Sequence, residues 1–93
     1  MVITVTCVGM SVDIPPRVQV ELERSEVVLR ELIVDYLARR YDPEIAEILL
    51  DGEDLRREYA ILVNGRNLAH VGGLDAILTD NSSVLITPIV VGG

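Results

Sequence analysis

The chain has 93 residues, 49% hydrophobic and 25% charged, with 8 basic and 15 acidic side chains and a net charge of -7. That length fits one small domain, here residues 1–93, and leaves no room for a second core. The apolar content excludes overall disorder, no apolar run approaches the ~20 residues that span a bilayer, and the acidic balance argues against nucleic acid or an anionic membrane as partner.

The first residues, MVITVTCVGM, are apolar with no basic lead-in, so they read as a first strand and not as a secretory leader. Over residues 2–8, Ile3, Val5 and Cys7 share one face by the two-residue period. Gly9 ends the run. Pro15 and Pro16 mark a loop, since neither can donate to a ladder. Residues 17–23 alternate, with Val18, Val20 and Leu22 inward and Arg17, Gln19, Glu21 and Glu23 outward. Strand, loop, strand predicts a hairpin with one wet face.

A long helix is predicted over residues 26–41. Ser25 is placed to cap it, with Glu26 in the first turn. Leu29, Leu32, Ile33, Tyr36 and Leu37 fall on one helical face. Glu26–Arg30 and Asp35–Arg39 are i, i+4 pairs, and Asp42-Pro43 stops the helix. Residues 43–50 read as a short second helix with Asp42 as cap and Pro43 in its first turn. Residues 51–58 read as a charged surface connection. A strand follows over 59–64, and Asn64-Gly65 is a hairpin turn signal. Residues 66–69 allow a short returning strand, and the segment from Gly72 to Asn81 reads as loop with one helical turn. The last strand covers 83–89. Its continuous Val84-Leu85-Ile86 predicts burial on both faces, and Pro88 limits further pairing. The order of elements is that of an α+β domain, one helix packed across a mixed sheet of four to five strands.

Catalytic groups are sparse. Cys7 is the one cysteine and lies on an inward strand face, which favours a core thiol and fits a reducing compartment. His70 is the one histidine and sits beside a loop, where a solvated or capping role is favoured; one His and one Cys make no metal cluster. Glu53-Asp54 belongs to the charged connection. Gly72-Gly73 lacks the lysine and hydroxyl of a phosphate loop. The signal that remains is the end of the sequence, Gly92-Gly93, placed shortly after a strand and a proline. Glycine has no Cβ, so such a tail suits a narrow channel through which another enzyme reaches a terminal carboxylate; a frayed chain end is the equal alternative on the tail alone.

Several segments together carry a resemblance. Ile61-Leu62-Val63-Asn64-Gly65-Arg66-Asn67, Gly72-Gly73-Leu74-Asp75, Thr79-Asp80-Asn81 and the run from Val84 to Gly93 resemble the MoaD/ThiS ubiquitin-like sulfur-carrier family, including the small archaeal ubiquitin-like modifiers. The family's aromatic residue and second proline before the tail are absent here, and Asp80-Asn81 stands where Asp-Gly is common. The resemblance implies a β-grasp fold and a cytoplasmic protein that is a cosubstrate, at most the small subunit of a synthase, with no catalytic group of its own. It implies that a ubiquitin-activating-type enzyme, using ATP and magnesium, adenylates Gly93. A sulfurtransferase or synthase large subunit then works on the activated end, which becomes a thiocarboxylate for molybdopterin, thiamine, cysteine or tRNA sulfur chemistry. Gly92 would be the slender neighbour, and Pro88, Ile89, Val90 and Val91 the segment held in the partner's groove. No cofactor or metal is implied for this chain itself, and with Gly-Gly already terminal no protease is expected to expose it.

Conjugation of Gly93 to target-protein lysines is the alternative implied by the same resemblance. A plain interaction module with an incidental tail is a third reading. All eight basic residues are arginines, so the chain has no lysine. A GC-rich or heat-adapted genome explains that composition without function; a modifier without side-chain amines for chains of itself explains it with one.

Overall fold

The computed structural model describes residues 1–89. Strand β1 (Val2–Cys7) pairs antiparallel with β2 (Arg17–Glu21), with Val5 opposite Val18 and Ile3 opposite Val20. Strand β3 (Glu26–Val28) leads into a helical segment, α1, over residues 29–40. Then come α2 (Glu44–Leu49), β4 (Leu50–Asp51), β5 (Asp54–Leu55), β6 (Tyr59–Val63), β7 (Arg66–Asn67), β8 (Ile77–Thr79) and β9 (Ser83–Pro88). Single 3₁₀ turns at Leu68–His70 and Gly73–Asp75 link β7 to β8.

The main sheet has five strands in the order β2-β1-β9-β6-β7. β9 runs parallel to β1 and antiparallel to β6, so the sheet is mixed and its last strand is central. The helix α1 packs across it, which is the β-grasp arrangement. Alternation places Ile3, Val5, Val18, Val20, Ile61, Val84 and Ile86 on the covered face, all buried. Leu29, Leu32, Ile33 and Leu37 of α1 are fully buried against them, and Tyr36 is half-buried. Cys7 belongs to the same core, and burial pushes its thiol pKa up, as expected of an inert structural cysteine.

Five expectations need correction. The helix is short, 12 residues, and begins at Leu29. Its N-cap is Val28, with no side-chain cap from Ser25. Glu26, Val27 and Val28 instead form β3, which pairs with β8 about fifty residues later. A strand that begins at Glu26 cannot set it one helical turn from Arg30; Arg30 approaches Asp75 at 3.7 Å, while Asp35–Arg39 stands at 3.9 Å as predicted. Six residues of the helix, Leu32–Leu37, follow the wider π winding, with the Ala38 N–H donating to the Ile33 carbonyl. The charged connection contains a small hairpin, β4 with β5, turned at Gly52 with φ +63°. Val84 and Ile86 are buried, but Leu85 is only half-buried, so β9 is central without being covered on both faces.

Asp42 caps the second helix much as its position predicts. Its carboxylate accepts the Glu44 N–H at 3.0 Å and also the Asp13 N–H at 3.0 Å. These bonds hold its pKa below the ordinary value, the Asp13 bond being the larger cause. Folding therefore favours the ionised form. Its contribution is complete above the ordinary aspartate pKa of about 3.9 and fades as pH falls through the lower folded value. Asp42→Asn keeps only one oxygen. The variant should be less stable than the parent at neutral pH, and the gap should narrow on acidification through pH ~4. A gap that is constant across an acid titration of chemical unfolding contradicts this.

Candidate functional site

The site is the end of β9 and the turns that hold it. Each turn uses one of the short segments singled out in the sequence. Asn64 and Gly65 take φ values of +51° and +80°, the left-handed pair that a tight hairpin between β6 and β7 requires. Asn64 then grips the start of β9: its N–H donates to the Ser83 carbonyl at 2.8 Å, and its side-chain oxygen accepts the Ser83 N–H at 2.9 Å. The Asp80-Asn81 turn, with Asn81 at φ +67°, grips β1 in the same way. Asp80 accepts the Val2 N–H at 2.7 Å and the Asn81 N–H donates to the Val2 carbonyl at 2.9 Å. Ser82 is buried, and its hydroxyl oxygen accepts the Thr79 N–H at 3.1 Å. Gly72 at φ +110° and Gly73 at φ +65° make the turn into β8. The glycine and asparagine signals are thus scaffold, fixing where β9 starts and how it aligns.

Replacing Asn64 by alanine loses the side-chain bond and strains a left-handed residue, so about 1–2 kcal/mol of stability should go. Asn64→Gly, which keeps the backbone freedom, should lose less. Equal losses for the two variants in denaturant unfolding would show that the left-handed backbone contributes nothing.

At its other end β9 leaves the sheet beside Gly9. Pro88 is the last strand residue, opposite Tyr59. Pairing on the β6 side runs one bond further, because the Ile89 N–H donates to the Glu58 carbonyl at 2.7 Å. By alternation the N–H that Pro88 lacks would point toward β1, where the last link is the Val8 N–H to the Ile86 carbonyl at 2.9 Å. A Cβ on Gly9 would lie 3.5 Å from the Pro88 ring, and Gly9 sits at φ +69°. Proline and glycine end the parallel pair together. Ile89 is 47% exposed and lines a depression of about 390 Å³ with Tyr59, Leu55 and Leu68, which the paired Arg30 and Asp75 also line.

Of the six residues predicted to form the tail segment, Pro88 and Ile89 are placed as above. Val90, Val91, Gly92 and Gly93 lie outside the described residues. Beyond the alternation of β2, the sequence did not reveal which sheet residues face outward; the register does. Thr6 lies opposite Leu85, Leu85 opposite Leu62, and Thr87 opposite Ala60. With Thr4 these half-buried side chains form an uncovered face continuous with the exit of β9. His70 is exposed in a 3₁₀ turn. Among the described residues no three or more His, Cys, Asp or Glu side chains are grouped to hold a metal ion, and no helix is long and apolar enough to cross a membrane.

The sequence matches no protein-family model, and no curated protein matches it. Solved structures match along the whole domain. Urm1 from Trypanosoma brucei is 28% identical, covers 99% of this chain and 95% of its own, and has a TM-score of 0.74. A chain of the Amycolatopsis orientalis BexX/CysO complex is 27% identical over 98% of this chain and 99% of that one, with a TM-score of 0.68. CysO from Mycobacterium tuberculosis is 25% identical over 95% and 99%, with a TM-score of 0.65. The fold is that of the ubiquitin-like MoaD/ThiS proteins. These neighbours are small ubiquitin-like carriers or modifiers of this type. In this ubiquitin-like chain the strand that leads to Gly92-Gly93 is the central one, clamped at its start by two turns and released at Pro88.

Proposed function

We propose that this protein is a ubiquitin-like sulfur carrier whose business end is the Gly93 carboxylate. The observation that carries the reading is the exit of central β9 after Pro88, four residues before Gly92-Gly93, beside an uncovered sheet face. A carboxylate is a poor electrophile. An activating enzyme using ATP and magnesium supplies the leaving group: a Gly93 oxygen attacks the α-phosphorus and pyrophosphate departs. Sulfur at the sulfide level, as hydrosulfide, then attacks the acyl-adenylate carbonyl; the carbonyl's C–O bond to AMP breaks, AMP leaves, the sulfur loses its proton, and the end becomes a thiocarboxylate. This chain's own contribution is geometric. The β-grasp body offers the sheet face as a docking surface, and the pair of glycines passes where a side chain would not. The neighbour in complex, CysO with BexX, supports a carrier that works alongside a partner protein.

ATP–pyrophosphate exchange tests this directly. The chain, supplied to a ubiquitin-activating-type enzyme with ATP and magnesium, should support exchange in proportion to its concentration. No exchange with any such enzyme from its own cell refutes the reading.

A modifier role is the second reading, favoured by the missing lysines and by a neighbour described as a small archaeal modifier protein. Gly-Gly remnants on lysines of other proteins would establish it. In that role the chain is a donor that offers no side-chain amine to its own activated copies. Incubation with the activating enzyme and ATP should give no side-chain-linked self-conjugates; their appearance contradicts this.

A further inference from the structure

β2 is an edge strand of the five-stranded sheet, and its open side carries a self-complementary pattern. The hydrogen-bond phase fixes what points outward. The Leu22 N–H donates to the Met1 carbonyl and the Met1 nitrogen to the Leu22 carbonyl, while the Cys7 N–H donates to the Pro16 carbonyl. In an antiparallel ladder such pairs recur at every second residue. Pro16, Val18, Val20 and Leu22 therefore face β1, and the backbone groups of Arg17, Gln19 and Glu21 face away. All three residues are exposed.

The geometry points to a second copy of this chain as the occupant of that edge, paired antiparallel through β2 about a two-fold axis at Gln19. In this register Gln19 lies opposite Gln19 of the other copy, and Arg17 opposite Glu21. The three outward residues of each copy then exchange six backbone hydrogen bonds. Each Arg17 meets a Glu21 across the new pair, the opposite-charge pairing that stabilises adjacent strands. Edge strands usually discourage self-pairing with charge of one sign or with proline. Here the charges are of opposite sign and symmetric about the centre. The prolines act at the boundary instead: Pro15, next in the outward phase, has no N–H to donate and stops the ladder at Arg17. β9 lies two strands in from this edge, about 10 Å. Pairing therefore leaves Ile89 uncovered, and the two-fold sends the two copies' β9 strands in opposite directions. The inference does not depend on the tail chemistry.

Light scattering and sedimentation equilibrium on the full chain test it, from about 1 μM to about 1 mM at physiological ionic strength, which screens the net charge of -7. A reversible dimer is expected. Arg17→Glu alone or Glu21→Arg alone should weaken it about tenfold or more, since each change enters the symmetric interface twice and sets like charges opposite. The double change Arg17→Glu with Glu21→Arg should restore it. Gln19→Pro removes an N–H that β1 does not use, so the fold should persist by circular dichroism while the dimer is lost. A monomer at every concentration overturns the proposal. So does a dimer that is indifferent to Gln19→Pro and to both single charge reversals.

Discussion

Deleting Gly93, or replacing Gly92 by valine, should reduce ATP-dependent activation by about a hundredfold or more while thermal stability stays put. The size follows from the chemistry: the reacting carboxylate must sit within about 1 Å of its attack position in the partner, and misplacement on that scale costs about a hundredfold. Deletion moves the carboxylate back by a residue. Valine adds a branched Cβ where the bare backbone is asked to pass a narrow channel. The buried core is built from residues between Ile3 and Ile86, so these variants should unfold like the parent. An activation rate within a few-fold of the parent for both variants would show that the tail is incidental, as in a plain interaction module.

The second large effect is on stability. Ile86→Ala should cost about 3 kcal/mol and lower Tm by roughly 12–24 °C. Ile86 is fully buried and sits where β9 is flanked on both sides, opposite Cys7 of β1 and Ile61 of β6. Truncation leaves a cavity between sheet and helix that neither neighbouring strand can close. Leu85→Ala, one residue earlier on the uncovered face, should cost about 1 kcal/mol or less. Thermal unfolding of the pair separates the two faces of one strand. Equal losses would contradict the assignment of covered and uncovered sides. Leu85→Ala should instead show itself in weaker docking to the activating partner, because Leu85 and Leu62 are the larger apolar side chains at the centre of the open face.

The difference between Ile86 and Leu85 marks where the sequence stops being informative. Local periodicity was enough for β1, β2, the buried face of α1 and the Asn64-Gly65 turn, because each depends on neighbours a few residues away. It failed at Glu26–Val28. Ser25 and Glu26 carry helix-start chemistry, but two β-branched valines find partners at Ile77–Thr79, and that distant pairing outweighs a weak cap. The same limit hid β8 and the two-residue β4–β5 ladder. It also hid the open face, because three consecutive apolar residues in β9 do not say which of them meets the helix. The candidate site was legible at its chemical end, where Gly92-Gly93 and Pro88 are sequence facts. Its supports were not: that Asn64, Asp80 and Gly9 all serve β9 or its neighbour emerges only from the parallel β1–β9 register.

The intact mass of the protein isolated from its own cells, with the terminal peptide sequenced by fragmentation, is the most direct test of the central claim. A population is expected in which one oxygen of the Gly93 carboxylate is replaced by sulfur, and it should be lost in cells that lack the activating enzyme. A terminus that carries only oxygen under every growth condition tried, with no Gly-Gly remnants on other proteins, would contradict it.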